Sequence, residues 1–223
     1  MIPPTLPGVL VLALDTSSPA VSAALLRVTP EDVEVLAEHV VVDARRHGEL
    51  LAMGVRAVLD GRSATDLGAV VVGVGPGPFT GLRVGLVTAA TMADALGVPA
   101  YGVCSLDAVG EGDRVVVTDA RRKEVYWARY AAGARVEGPA VERPALLAER
   151  LHGSGARLVG AGAVLHRNAF DAVDDGSPYP SGRVLVQLAA DRVLAGAPSE
   201  ALTPLYLRRP DAVEPGATKR VTA

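Results

Sequence analysis

This sequence predicts an α/β protein of two tandem subdomains built on mixed sheets, the second a degenerate copy of the first. Three observations carry that prediction. Short valine-rich runs ending in aspartate recur, first at Val9 to Asp15 and again at Val115 to Asp119. Between Ala69 and Gly97 an apolar run of strand length, a glycine-proline loop and an apolar helix follow one another. The elements of the first half read βββαβαβ, and the second half repeats that order in worn form.

Each element has its own reason. Val9 to Leu14 is a strand that delivers Asp15, Thr16 and Ser17 at its end. Ser18 and Pro19 turn the chain, and Val21 to Leu26 returns as a second strand. Thr29, Pro30, Glu31 and Asp32 form another turn before a third strand, Val33 to Val42. Connections this short make an antiparallel meander. From His47 to Asp60, Leu50, Leu51, Gly54, Val55, Val58 and Leu59 recur at helical spacing, and Gly61 stops the run. Ala69 to Val74 is the fourth strand, about Thr80 to Leu96 the second helix, and Ala100 to Cys104 the fifth strand. Parallel strands added through right-handed crossovers extend the meander into a mixed sheet with helices on its faces.

The glycine loop admits two readings. Gly73, Gly75, Pro76, Gly77, Pro78 and Gly81 separate strand from helix, the arrangement that sets backbone N–H groups beside a phosphate. Neither a GxGxxG spacing nor a Gly-Lys-Ser/Thr ending is present. A tight turn that brings helix and strand together explains the same glycines. If Gly77 holds a positive φ, a side chain there destabilises the connection. The helix that follows carries only Arg83 and Asp94 as charges between Leu82 and Leu96, and Gly85, Ala89 and Ala93 stand four apart as one stripe of small residues. Such a helix is either enclosed by its own chain or covered by a partner, and the partner is the expectation.

In the second half, Asp119 is followed by a returning strand, Val125 to Tyr130, with Val136 to Val141 as the third. Pro144 to His152 is the helix, Arg157 to Gly160 the next strand, and Gly160 to Ala163 takes the loop position. Asp15 and Gly75 lie 60 residues apart, Asp119 and Gly160 only 41, so the repeat is approximate. A further helix, Val184 to Leu194, and the segment Pro204 to Arg209 follow. Residues 210–223, with few apolar side chains, are expected to be disordered. Residues 9–108 and 109–209 are the two subdomains. Paired halves of this order, each with an aspartate after its first strand, resemble the actin-like ATPase (ASKHA) architecture of tandem ribonuclease-H-like domains.

Composition narrows the function. The 223 residues are 49% hydrophobic, enough for a sizeable core built mostly of Ala, Val and Leu. A net charge of −3 argues against strong autonomous nucleic-acid binding. The single Cys104 excludes an internal disulfide, fits a reducing cytoplasm and reads as a small buried hydrophobe. Pro3, Pro4 and Pro7 without a basic region, and Asp15 inside the first apolar run, argue against a signal peptide or membrane span. No GxSxG elbow or CxxC pair occurs. Asp174 and Asp175 beside Gly176 suit a solvated loop. Arg121-Arg122-Lys123 and Arg208-Arg209 are either scattered surface charge or contacts to phosphates within a complex.

Six segments then point to one family. ALDTSS at Ala13 to Ser18, RHGELL at Arg46 to Leu51 and GVGPGPFTGLRVG at Gly73 to Gly85 match it in order. CSLDAV at Cys104 to Val109, TDARRKEVYWA at Thr118 to Ala128 and PLYLR at Pro204 to Arg208 continue the match over most of the chain. The chain resembles the TsaB (YeaZ) family of bacterial tRNA threonylcarbamoyladenosine biosynthesis proteins, departing from it at Gly48, where the family has serine. That resemblance implies a non-catalytic paralogue of the metal-dependent TsaD transferase, which modifies adenosine 37 of tRNAs reading codons that begin with A.

TsaD carries a metal-binding HxxxH pair after its fifth strand, where this chain reads Ser105-Leu106-Asp107-Ala108-Val109. His39, His47, His152 and His166 are separated by 8, 105 and 14 residues, so none pairs at that spacing. No metal, no cofactor and no catalytic residue is expected. Asp15, Thr16, Gly75, Gly77, Thr80 and Gly81 are at most vestigial nucleotide loops. The alternative is an actin-like enzyme, an ATP-dependent kinase or metal-dependent hydrolase, with Asp15 and Asp119 facing magnesium. The resemblance further implies a heterodimer with TsaD through two helices. The expected surface is His47, Leu50, Leu51, Gly54, Val55 and Val58 on one and Leu82, Gly85, Leu86, Ala89 and Ala93 on the other. A TsaE-like ATPase joins the larger complex, any nucleotide lies only at the partner interface, and tRNA is met only within the complex. Alone, the protein is expected to pair with itself through the same surface.

Overall fold

The computed structural model of the chain describes residues 8–176 and 178–208. The proline-rich start, Arg209 and the expected disordered tail lie outside the described residues. Two five-stranded mixed sheets form the body. The first holds β1 (Val9–Asp15), β2 (Ala20–Val28), β3 (Val33–Val42), β4 (Ala69–Gly73) and β5 (Ala100–Val103) in the order β3-β2-β1-β4-β5. The meander is antiparallel, and β4 and β5 add in parallel, as the short turns and helical crossovers require.

The second sheet holds β6 (Arg114–Asp119), β7 (Val125–Ala131), β8 (Ala134–Glu142), β9 (Leu158–Val159) and β10 (Val173–Asp174), ordered β10-β9-β6-β7-β8. Its connectivity repeats the first, antiparallel on one side of β6 and parallel on the other. The repeat therefore runs one strand further than the sequence pattern suggests. β10 escaped because two residues between Asp171 and Asp175 leave no periodicity to read. Gly160 to Ala163 is not an open loop. Gly160 takes φ 102°, and a short helix, α4 (Ala161–Leu165), starts at once.

Helices α1 (His47–Val58) and α2 (Phe79–Leu96) cover one face of the first sheet, and α2 ends on Gly97 at φ 68°, the left-handed cap its sequence announces. Leu12, Leu14, Val70 and Val72 point toward these helices, while Val11, Ala13, Ala69 and Val71 point to the other face. That second face is covered by α5 (Gly182–Leu194), through Leu185, Val186, Ala189 and Val193. The last helix thus lies within the 109–209 segment yet packs on the first sheet. A Cβ on Gly182 would come within 2.9 Å of the Ala24 methyl, so the helix starts in close contact with β2. In the second subdomain α3 (Pro144–Leu151) and α4 close one face around Trp127, Leu147 and Phe170. On the opposite face Leu205 and Leu207 pack beside Cys104, Val116 and Tyr126.

Candidate functional site

Asp15, at the end of β1, is 1% exposed. Its Oδ1 accepts from the Ser17 N–H at 2.9 Å and the Ser17 hydroxyl at 2.7 Å, and its Oδ2 accepts from the Ser105 hydroxyl at 2.6 Å. Burial raises the carboxyl above the usual aspartate range, against the lowering effect of these hydrogen bonds. Ser105 in turn accepts the Gly75 N–H at 3.1 Å, tying the glycine loop to the same carboxylate. Thr16 is also sealed. Its hydroxyl donates to the Gly81 carbonyl at 2.7 Å and accepts the Gly85 N–H at 3.1 Å.

The glycines explain how the two segments come so near. A Cβ at Gly73 would overlap the Asp15 carboxylate, and one at Gly77 would overlap the Ser17 carbonyl. At Gly81 a Cβ would stand 2.8 Å from the Thr16 carbonyl oxygen, and at Gly85 2.5 Å from the Thr16 hydroxyl. The glycine loop and first turn of α2 therefore close on the Asp15-Thr16-Ser17 turn. Gly75 alone among these takes a positive φ, 92°, so Gly77 is required by close approach and not by a left-handed backbone. Of the six nucleotide-loop candidates, Asp15, Thr16, Gly75, Gly77 and Gly81 are buried, and Thr80 is exposed. His47 caps this closure from α1, its Nε2 at 3.1 Å from the Ser18 carbonyl oxygen.

The helix surface differs from the sequence reading. Leu50, Leu51, Gly54, Val58, Leu82, Gly85, Leu86, Ala89 and Ala93 are all buried within the chain, and only His47 and Val55 are partly exposed. The small-residue stripe of α2 is what lets that helix lie close to its own sheet, with Gly85 seated on Thr16 and Ala89 fully enclosed. The outward faces carry other residues: Ala52, Met53, Arg56 and Ala57 on α1, and Arg83, Val87, Ala90, Thr91 and Asp94 on α2. Met53 is 54% exposed and Val87 63%.

In the second subdomain Asp119 stabilises its own turn, its Oδ1 accepting the Arg121 N–H at 2.8 Å. Asp174 does the same with the Gly176 N–H at 2.9 Å and pairs with Arg157, and these contacts, the Gly176 N–H first, hold its carboxyl below the usual range. Cys104 is buried, and burial pushes its thiol up to about 11, away from nucleophilic use. Among the described residues no three His, Cys, Asp or Glu side chains converge as a metal-ligand set, and no helix is long and apolar enough to cross a membrane. A cleft of about 270 Å³ opens between the subdomains, walled by Pro78, Phe79 and Thr80 on one side and by Arg121, Arg122 and Tyr126 on the other. Sequence reading missed Ser105 as a partner of Asp15, since 90 residues separate them. It also missed the cleft, which only the docking of the two halves creates.

Fold and site together define a two-subdomain protein of the actin-like class in which the loops of the first half are closed on one another. The family model for tRNA N6-adenosine threonylcarbamoyltransferase (TsaD) matches residues 34–195. The TsaB proteins, described as tRNA threonylcarbamoyladenosine biosynthesis proteins, are 32% identical in Escherichia coli (81% of this chain, 83% of that one) and 34% identical in Bacillus subtilis (54% of each). An uncharacterized protein of Mycobacterium tuberculosis (strain H37Rv) is 51% identical over 91% of this chain and 93% of its own. The structure of YeaZ from Pseudomonas aeruginosa superposes with a TM-score of 0.72 at 29% identity, covering 89% of this chain and all of that one. The chain belongs to the TsaB (YeaZ) family.

Proposed function

We propose that this protein takes part in forming threonylcarbamoyladenosine in tRNA as a non-catalytic partner of a TsaD-like transferase. The observation that carries this reading is the closure of the glycine loop on Asp15, Thr16 and Ser17. In this reading the glycine loop serves to bring helix and strand together, and the chain by itself is expected to hold no nucleotide there. Any nucleotide in the assembly lies at the partner interface, and a TsaE-like ATPase joins from outside. Its chemistry is cytoplasmic, where tRNA is modified.

The partner surface in this reading is the outward face of α1 and α2, centred on Met53 and Val87, and not the buried stripe. Exposed apolar side chains flanked by small Ala52, Ala57 and Ala90 allow two helices of another subunit to approach closely. Unpartnered, the same face supports pairing of two copies. Val87→Arg is expected to abolish co-purification with the transferase and to shift the isolated protein to monomer in sedimentation, with an unchanged melting temperature. Retention of both assemblies would move the interface elsewhere. Threonylcarbamoyladenosine undiminished in tRNA from cells depleted of the protein would refute the functional reading, and stoichiometric ATP turnover by the isolated chain would replace it with the enzymatic alternative.

A further inference from the structure

The cleft between the subdomains carries chemistry that a scaffold leaves unused. Phe79 and Tyr206 stack at its edge with ring centroids 4.9 Å apart. The Arg83 guanidinium lies 3.9 Å from the centre of the Phe79 ring and donates through Nε to the Tyr206 hydroxyl at 3.2 Å. Facing this stack is the turn between β6 and β7, where Arg121, Arg122 and Lys123 stand in succession at φ 63°, 52° and 62°. Left-handed backbone in a hairpin turn ordinarily recruits Gly or Asn, because a Cβ makes it costly. This turn forgoes that preference to place three cations side by side. Arg208 anchors the turn, donating to the Ala120 carbonyl at 2.8 Å and pairing with Glu124 at 3.2 Å.

The local charge is positive although the chain as a whole carries −3. Asp119 pairs with Arg121 and Glu124 with Arg208, and among the described residues Arg83 and Lys123 make no ion pair. Cations along one wall of a groove, facing a stack of planar groups on the other, match a nucleic-acid strand, whose phosphates repeat and whose bases stack on aromatic rings and guanidinium planes. A volume of about 270 Å³ is small for burying a mononucleotide but suits a strand laid across an open groove.

We propose that this cleft binds single-stranded RNA, its phosphodiester backbone on the Arg121–Lys123 turn and an unpaired base extending the Arg83–Phe79–Tyr206 stack. The proposal deepens the tRNA-modification reading and rests on it for the source of the strand. The negative charge of the remaining surface makes the contact weak for the chain alone and strongest in the complex with the transferase.

The test uses the full-length chain, alone and with its transferase partner, and a short fluorescein-labelled single-stranded RNA followed by anisotropy across a salt series. The variant combines Arg121→Asn, Arg122→Asn and Lys123→Asn, all off the α1–α2 partner face, since asparagine tolerates left-handed backbone and spares the turn. Binding is expected to weaken at least roughly tenfold, and the slope of log affinity against log salt to flatten by about two. Arg27→Gln, on β2 of the first sheet where it pairs with Glu34, should change neither. Affinity and slope unaltered in the triple variant, or no RNA binding by chain or complex, would overturn the proposal. Displacement of the RNA by ATP at comparable concentration would also overturn it and make the cleft a nucleotide site. Pull-down of the transferase by the same variant separates the two readings: partner retained with RNA lost supports the cleft assignment. Failure of the wild-type chain to bind the transferase would sink the scaffold reading and leave the RNA measurement to decide alone.

Discussion

At the scale of single residues, this protein is organised by close approach between backbones. Gly77 faces the Ser17 carbonyl with no room for a Cβ, whereas Gly48, in the first turn of α1, has open space around it. Gly77→Ala is therefore expected to destabilise the fold by about 1–3 kcal/mol through overpacking. Gly48→Ala should gain up to about 1 kcal/mol from helix propensity. Thermal unfolding of the two variants checks both, and equal melting temperatures would show that the loop yields. Asp15 adds a pH dependence whose sign is fixed by burial. Its carboxyl is raised above the ordinary value of 3.8, so over that window the folded chain keeps a proton the unfolded chain has released. The stability linked to Asp15 is present below the unfolded value and lost as pH rises through the folded one. Asp15→Asn keeps an acceptor for Ser17 and offers its amide to Ser105. Chemical denaturation from about pH 4 to about pH 8 should show the advantage of wild type over this variant shrinking as pH rises. A constant difference would mean the carboxyl titrates normally in the fold.

At the scale of elements, most of the structure is legible in the sequence because strand and helix patterns are strong where faces are consistently buried. β3 begins and ends where its valines and the flanking turn residues place it, and Gly97 ends α2 as expected. What the pattern does not contain is the identity of the neighbour. A stripe of Gly85, Ala89 and Ala93 says only that something comes close, and that something is the chain's own first sheet and Thr16. Ala89 is fully buried. Ala89→Arg would force an unpaired guanidinium into that core and is expected to cost more than about 4 kcal/mol, so the variant should fail to fold and not merely fail to assemble. Val87, two residues away on the solvent side and 63% exposed, is expected to take arginine without loss of stability. A folded, monomeric Ala89→Arg protein would return the stripe to the surface.

For the whole molecule, the tandem repeat is visible in the sequence because both halves open with a valine strand and an aspartate. The closing of the molecule is not, because it depends on contacts across long separations. A buried arginine holds the joint: Arg114 donates to the carbonyls of Asp107, Val109 and Gly112 and lies 4.0 Å from the Tyr130 ring centre. Tyr130 and Arg135 both donate to the Asp107 carboxylate, at 2.7 and 3.1 Å. Beyond this joint the chain completes the second sheet and then returns α5 to the first. Leu185, Val186, Ala189 and Val193 of that helix cover Val11, Ala13, Leu26, Val71 and Tyr101, and Tyr101 donates its hydroxyl to the Ala197 carbonyl at 2.6 Å. Each large apolar side chain so covered is worth about 1.5–3 kcal/mol, a sum comparable with the stability of a small domain. A fragment ending at residue 108 keeps the whole first sheet with α1 and α2 but leaves that face open. It is expected to bind a hydrophobic dye and aggregate, and an added peptide of residues 178–208 should restore a cooperative thermal transition. A monomeric 1–108 fragment that melts cooperatively by itself would show that the first subdomain folds without the helix that the last part of the chain supplies.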